Sequence, residues 1–148
     1  INEVAFLFLG IFITMVPCLE YLELHAMDLG ITSAKSIYYA TGALSGFLDN
    51  TPTAVTFYSL VVGLVEQNPA MLEGVKVIAG IPEHFMEAIS VSSVFFGSMT
   101  YIGNGPNFMV KAIAESNGIN MPDFFSYMIK FSLIVLLPLF ILAQLIFI

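Results

Sequence analysis

Asp49 is the single charged residue between Ile37 and Val65, a stretch otherwise built of apolar and small polar residues. A carboxylate near the centre of a bilayer costs at least about 2.5 kcal/mol on insertion scales, so it persists where it faces protein, an ion or water. It sits in the run Leu48-Asp49-Asn50-Thr51-Pro52-Thr53. The chemistry on offer is ion binding: an acid that can hold a proton or a metal cation, with an amide and two hydroxyls beside it, and hard cations prefer oxygen ligands. A second polar run, Tyr101-Ile102-Gly103-Asn104-Gly105-Pro106-Asn107, interrupts another apolar segment with neutral amides and two glycines. Asn50-Thr51-Pro52-Thr53 and Asn104-Gly105-Pro106-Asn107 share the pattern Asn-x-Pro followed by a polar residue. Paired Pro- or Gly-interrupted hydrophobic segments point to a transporter's binding site.

Other chemistries fit less well. Glu20, Glu23, His25 and Asp28 contain metal-ligand types, but they straddle a helix end and the Gly30 turn and read better as a hydrated interface. Glu83, His84 and Glu87 stand where the first turns of a helix favour acids, so capping is the better reading. An intramembrane aspartyl protease needs two apposed carboxylates, and this chain offers one. Neither His25 nor His84 lies at the depth of the serines between Ser90 and Ser98, so no base is placed for a nucleophile. Four lysines and no arginine give no basic patch for nucleic acid. Cys18, the one cysteine, cannot form an intrachain disulfide and reads as a small packed hydrophobe.

The elements that position these residues follow from an apolar composition. The chain is 148 residues long, 58% hydrophobic and 10% charged, with several runs near the ~20 residues needed to cross a bilayer. The expected fold is all-α and membrane-integral. Residues 1–24 are expected to form a transmembrane helix, its apolar run extending from Val4 to Leu24, with Thr14 and Pro17 bending it. Residues 34–65 read as helix, break and helix, with Thr32 and Ser33 as caps of a first arm running to Leu48 and Thr51 capping a second that begins at Pro52. About 32 residues would span ~48 Å if straight, against a core of ~30 Å, which favours a re-entrant hairpin over a single crossing. Gly42, Ser45 and Gly46 give its first arm a small-residue surface for close packing. Residues 69–80 read as an interfacial helix with Met71, Leu72, Val75, Ile78 and Ala79 on one side. Residues 82–117 read as a broken transmembrane helix, interrupted from Gly103 to Pro106 and closed by Gly118. Lys111 and Glu115 make a one-turn pair near its end, read as structural. Residues 123–148 read as a terminal transmembrane helix capped by Asp123, with Lys130 snorkelling to the surface.

This order of elements resembles the C-terminal half of the ion transporter superfamily. The Leu-Asp-Asn-x-Pro tip at Leu48 to Pro52 is most similar to sodium:proton antiporters and citrate-transporter-like proteins. The resemblance implies one of two inverted repeats, each with a re-entrant hairpin and a broken helix whose tips meet at the ion and substrate site. It carries that site onto Asp49, Asn50, Thr51, Asn104 and Asn107, with backbone carbonyls near Gly103. It also implies sodium held by Asp49, Asn50 and Asn104. Dicarboxylate carriers of the superfamily have Ser-Asn-Thr at the tip, whereas Asp49 stands in the first position here and suits a cation.

The favoured expectation is therefore sodium:proton antiport, a transport rather than an enzymatic activity. The runner-up is sodium-coupled transport of citrate or a dicarboxylate, with the anion at the helix N-termini formed by Thr51 to Thr53 and by Pro106 and Asn107. A membrane scaffold would explain the apolar helices but not their polar interruptions. No cofactor is expected, and Na+ and H+ enter as transported or coupling ions. The expected partners are the N-terminal repeat of the same protein, the lipid bilayer and a possible homodimeric copy, without nucleic acid. A bacterial inner membrane is the expected location. With Lys35 and Lys76 on one side and Lys111 and Lys130 on the other, charge does not set the orientation.

Overall fold

A computed structural model describes residues 2–148, leaving aside the side chains of residues 2–5, 7, 8, 11 and 12. Helix α1 (Asn2–Leu24) continues through Pro17, and of the expected helix over 1–24 only Ile1 lies outside the described residues. After the left-handed turn at Gly30, Ser33 opens helix α2 (Ala34–Ser45), accepting a hydrogen bond from the Ser36 amide while the Ser36 hydroxyl reciprocates at the Ser33 amide. Both orphan donors at that end are thereby satisfied. Helix α3 (Asn50–Gln67) follows after a short break.

The buried positions of α2 are Ile37, Tyr38, Thr41, Gly42 and Ser45, a single stripe at helical spacing. In helix α4 (Glu83–Phe95) the stripe is Phe85, Ala88, Ile89, Ser92 and Ser93. These two stripes face each other, and α2 packs more extensively on α4 than on any other element. Small residues allow the approach: a Cβ on Gly42 would stand 2.6 Å from the Phe96 ring, so the ring lies where a side chain would be. Gly63 on α3 does the same for the backbone of Glu23 at the end of α1. Among apolar helices in lipid such close packing, rather than exclusion of water, holds neighbours together. Leu60, Val61 and Leu64 of α3 join Phe85, Ala88 and Ile89 of α4 in one buried cluster.

Residues 69–80 do not form the expected interfacial helix. Pro69–Leu72 is a short 3-10 turn, and the chain then folds back on itself as two strands, β1 (Val77–Ile78) and β2 (Ile81–Pro82), paired antiparallel with Val77 opposite Pro82. Positive φ at Ala79 (50°) and Gly80 (84°) makes the two-residue turn. The helical spacing of the apolar residues was a misleading signal, because Gly74 and Gly80 interrupt it and the β-branched Val75, Val77, Ile78 and Ile81 suit strands. Tyr58 on α3 donates to the Ala79 carbonyl at 2.8 Å and pins this turn down. Lys76 pairs with Glu83 at the start of α4, and that hydrogen bond raises the lysine's pKa above its ordinary value.

Beyond α4 a 3-10 turn (Phe96–Met99) leads into a second break, followed by helix α5 (Gly105–Ser116). None of the residues of α5 is buried, and Phe108, Met109, Val110 and Ile113 are all exposed. Gly118, with φ 77°, turns the chain away from it as expected. Asp123 caps the last helix, α6 (Phe124–Phe147), accepting from the Ser126 amide at 3.3 Å; hydrogen bonding to Ser126 holds its carboxyl below the usual range. Among the described residues α6 is the one helix long and apolar enough to cross a membrane, with mean hydropathy 2.4.

The middle of α6, Met128–Leu136, has π-helical winding, which the sequence pattern did not announce. An i→i+5 ladder brings residues five apart to one face. Tyr127 and Ser132 have that spacing, and they donate to the Ser98 carbonyl at 3.0 Å and the Met99 carbonyl at 2.6 Å. Leu137, five residues further, packs against the core.

Candidate functional site

A helix that stops inside an apolar assembly leaves its last carbonyls and first amides without intrahelical partners. The two breaks of this chain lie against each other and satisfy those groups mutually. Thr100 in the second break donates to the Gly46 carbonyl in the first at 2.5 Å, and its oxygen accepts from the amides of Gly103 at 3.0 Å and Ile102 at 3.2 Å. Ser45, at the end of α2, donates to the Ser93 carbonyl at 2.5 Å and contacts Asn50 Oδ1 at 3.1 Å. Asn107 on the first turn of α5 reaches back with Nδ2 to the carbonyls of Gly97 at 3.1 Å and Thr100 at 3.4 Å.

Gly103 is the point of closest approach. A Cβ there would stand 2.7 Å from the Ser45 carbonyl oxygen, 2.8 Å from that of Gly46 and 2.9 Å from that of Gly97. All three atoms are backbone, so no side chain can swing aside to make room. Gly97 in turn is covered by Asn50 Oδ1 where a side chain would lie. The junction therefore gathers carbonyls from the ends of α2 and the 3-10 turn, the amides of Asn50 and Asn107, and the N-termini of α3 and α5. Partial negative charge from the former and partial positive charge from the latter meet in one place.

The residues singled out in the sequence divide between this junction and its surroundings. Asn50, Gly103 and Asn107 belong to it. Asn104 is the N-cap residue of α5, half-buried, with no capping bond from its side chain. Asp49 takes a different position: it, and not Thr51, is the N-cap of α3, its Oδ1 accepting from the Asn50 amide at 2.8 Å. The expected cap at Thr51 is corrected because the helix begins two residues before Pro52, which leaves Thr51 exposed inside the first turn. Thr53 is buried and its hydroxyl donates to the Asp49 carbonyl at 3.0 Å, so that donor is spent within the helix. The breaks are displaced likewise: the first runs from Gly46 to Asp49 because α2 ends at Ser45 rather than Leu48, and the second from Thr100 to Asn104, with Gly105 and Pro106 already in α5.

Asp49 is exposed and lines a cleft of about 390 Å³ with Met15, Cys18, Leu44, Leu48, Pro52 and Thr56. Cys18 is exposed on that cleft rather than packed as a small hydrophobe. No hydrogen bond joins Asp49 to Asn104 or Asn107 among the described residues, and none of the His, Cys, Asp and Glu residues described forms a group of three fit to hold a metal ion. A site for Na+ drawn from one carboxylate and neutral oxygens is a different arrangement from such a cluster.

Ser45, Ser93, Gly97 and Thr100 are the site residues that sequence reasoning missed. Gly97 lies in the 3-10 turn just ahead of the second break and Thr100 opens that break, and a small or polar residue beside a helix interruption was the available signal. Ser45 had been noticed only for its size.

A family model described as "Putative citrate transport" matches residues 1–148, the whole chain. The chain belongs to that family. No curated protein and no solved structure matches it. Membership of this family makes the chain a transport protein, similar to citrate transporters, and together with the apolar α6 assigns it to the membrane.

Thr100 is the test of how this family member closes its breaks. Replacing it with valine strands the Gly46 carbonyl and the Gly103 amide, each unpaired buried group costing about 1–3 kcal/mol. Thr100→Val should lower the melting temperature of the detergent-solubilised protein by several degrees, while Thr100→Ser should leave it close to wild type. Equal melting temperatures for all three proteins would show that the hydroxyl is not what joins the breaks.

Proposed function

We propose that the protein carries citrate or a related polycarboxylate across the membrane by secondary transport coupled to Na+ or H+, the anion binding where the two helix breaks meet. The observation that carries this reading is the junction around Gly103, where Asn50, Asn107 and the N-termini of α3 and α5 stand together. Helix N-termini and amide hydrogens favour carboxylates, and the carbonyl ends beside them favour a cation. A junction of both signs suits an anion moving with a coupling ion. In this reading Asn50, Thr51, Gly103, Asn104 and Asn107 belong to the substrate side, while Thr53, its hydroxyl bonded to the Asp49 carbonyl, braces the first turn of α3. Asp49 serves the coupling ion from the neighbouring cleft, with Asn50 and Asn104 as the neutral ligands for Na+.

The break between α2 and α3 is read as the tip of a re-entrant hairpin. At about 18 Å the 12-residue first arm falls well short of a core of about 30 Å, so the pair does not read as two successive crossings. The outer ends of the arms lie together: Gln67 at the end of α3 donates to the carbonyls of Glu23 at 2.7 Å and Leu24 at 3.1 Å, and α2 begins just beyond the turn that follows Leu24. The exposed apolar face of α5 fits a partner repeat supplied by an N-terminal half of the same protein, with dimerisation and a bacterial inner membrane as further parts of the proposal. Single cysteines replacing Lys35 and Asn68, in a Cys18→Ser background, should react with an impermeant thiol reagent from the same membrane face. Labelling from opposite faces would sink the hairpin.

Sodium:proton antiport is the second reading, and Asp49 is the observation that favours it, as an exposed acid at the tip of an otherwise uncharged segment. The two readings separate in proteoliposomes of the full-length protein under an imposed sodium or proton gradient. If Asp49 holds the coupling ion, Asp49→Asn should cut gradient-driven citrate accumulation by at least about tenfold, the equivalent of 1.4 kcal/mol, while citrate exchange at equilibrium persists. Citrate-independent proton flux in the wild type that vanishes in Asp49→Asn would instead hand the case to antiport. Gradient-driven citrate accumulation unchanged in Asp49→Asn would remove Asp49 from the coupling mechanism.

A further inference from the structure

A further cleft adjoins the junction. It has a volume of about 180 Å³ and is lined by Tyr101, Asn107, Val110, Lys111, Met121 and Tyr127. Tyr101 is 6% exposed, and its hydroxyl is enclosed without a hydrogen-bond partner. Buried hydroxyls are almost always bonded, so an unpartnered one on a residue that lines a cleft is a candidate to bond a group held there. Lys111 brings a cation to the same place. Its side chain is 21% exposed, its Nζ stands 5.4 Å from the centre of the Tyr101 ring, and it meets Glu115 Oε1 at 2.5 Å.

Asn107 links this cleft to the junction. It lies one turn before Lys111 on the same face of α5, and its Nδ2 donates to the Gly97 and Thr100 carbonyls of the second break. Tyr127, stacked on Tyr101 with ring centres 4.4 Å apart, is fixed by its bond to the Ser98 carbonyl. The Tyr101 ring is thereby held in place between α5 and α6. A cation, a hydroxyl in want of a partner and an amide at the edge of the junction form a set that recognises a carboxylate.

We propose that this cleft is a carboxylate subsite, in which Lys111 and Tyr101 bind one carboxylate of the organic anion before or while another reaches the Asn107 end of the junction. The proposal deepens the transport reading and rests on its claim that the cargo is an organic anion. Glu115 holds the ammonium in the absence of cargo; its side chain is 46% exposed, so it can give up the lysine to an incoming carboxylate and return to water at small cost. The competing explanation is a purely structural cluster of an ion pair and stacked rings. That explanation expects stability to change with these residues and affinity for an anion not to.

The test is citrate binding by the full-length protein in detergent, read by calorimetry, with uptake in proteoliposomes measured separately. Lys111→Gln should weaken citrate binding by on the order of tenfold or more, the loss of one charge-assisted hydrogen bond, and Lys111→Arg should stay within a few-fold of wild type. Tyr101→Phe, which deletes an unbonded hydroxyl and leaves the ring stacked, should weaken binding several-fold without lowering the melting temperature. Wild-type affinity in both Lys111→Gln and Tyr101→Phe would overturn the subsite. Lys111-dependent binding by a protein that takes up no citrate would leave the subsite standing and overturn the transport reading. Absence of any citrate binding by the wild type would overturn both.

Discussion

Backbone polar groups that lose their helical partners in an apolar setting must find others, and in this protein two helix breaks find them in each other. Each unpaired amide or carbonyl surrounded by hydrocarbon costs several kcal/mol, so interrupted helices are tolerated only where protein or a wet cavity meets the opened backbone. Here the opened carbonyls of Gly46, Ser93, Gly97 and Thr100 take hydrogen bonds from Ser45, Thr100 and Asn107. The two carbonyls between Gly97 and Thr100, those of Ser98 and Met99, take theirs from Tyr127 and Ser132 on α6. The π-helical winding of α6 belongs to the same requirement, since it places those two donors one above the other.

The same constraint bears on the proposed function. A break satisfied by its neighbours is a rigid frame, and in the proposed reading the groups left at its edge take the cargo: the side chain of Asn104, the first turns of α3 and α5, and Asp49 on the neighbouring cleft. Separating Asp49 from Asn107 would let an acid and the proposed anion site share one protein without direct like-charge repulsion. Membership of a family described by citrate transport agrees with the anion side of that division. It reverses the order of the expectations drawn from the tip motif, in which the acid pointed first to a cation.

The existence of both breaks was legible because their signals are local. Pro52 and Pro106 cannot continue a helix, and asparagines and glycines cluster beside them. Their exact limits were not legible, because a capping residue is chosen by competition among neighbours: Asp49, Asn50 and Thr51 can each cap, and it is Asp49 whose carboxylate takes the Asn50 amide. The turn around Ala79 and Gly80 was hidden because apolar residues at 71, 72, 75, 78 and 79 match a helix by count. That Thr100 joins the two breaks was not legible, since the Gly46 carbonyl it bonds lies 54 residues away in the chain. Long-range hydrogen bonds of this kind have no periodicity to betray them.

The two breaks are held in contact, and the proposed site is their junction. Gly103→Ala measures it most directly, because a single methyl must enter a space bounded by three backbone carbonyls, while at Gly105, two residues on, a Cβ meets nothing within 4 Å. In the full-length protein, Gly103→Ala should insert and remain helical yet lose citrate binding and uptake, and Gly105→Ala should behave as wild type. Citrate binding and uptake at wild-type levels in Gly103→Ala would contradict the account.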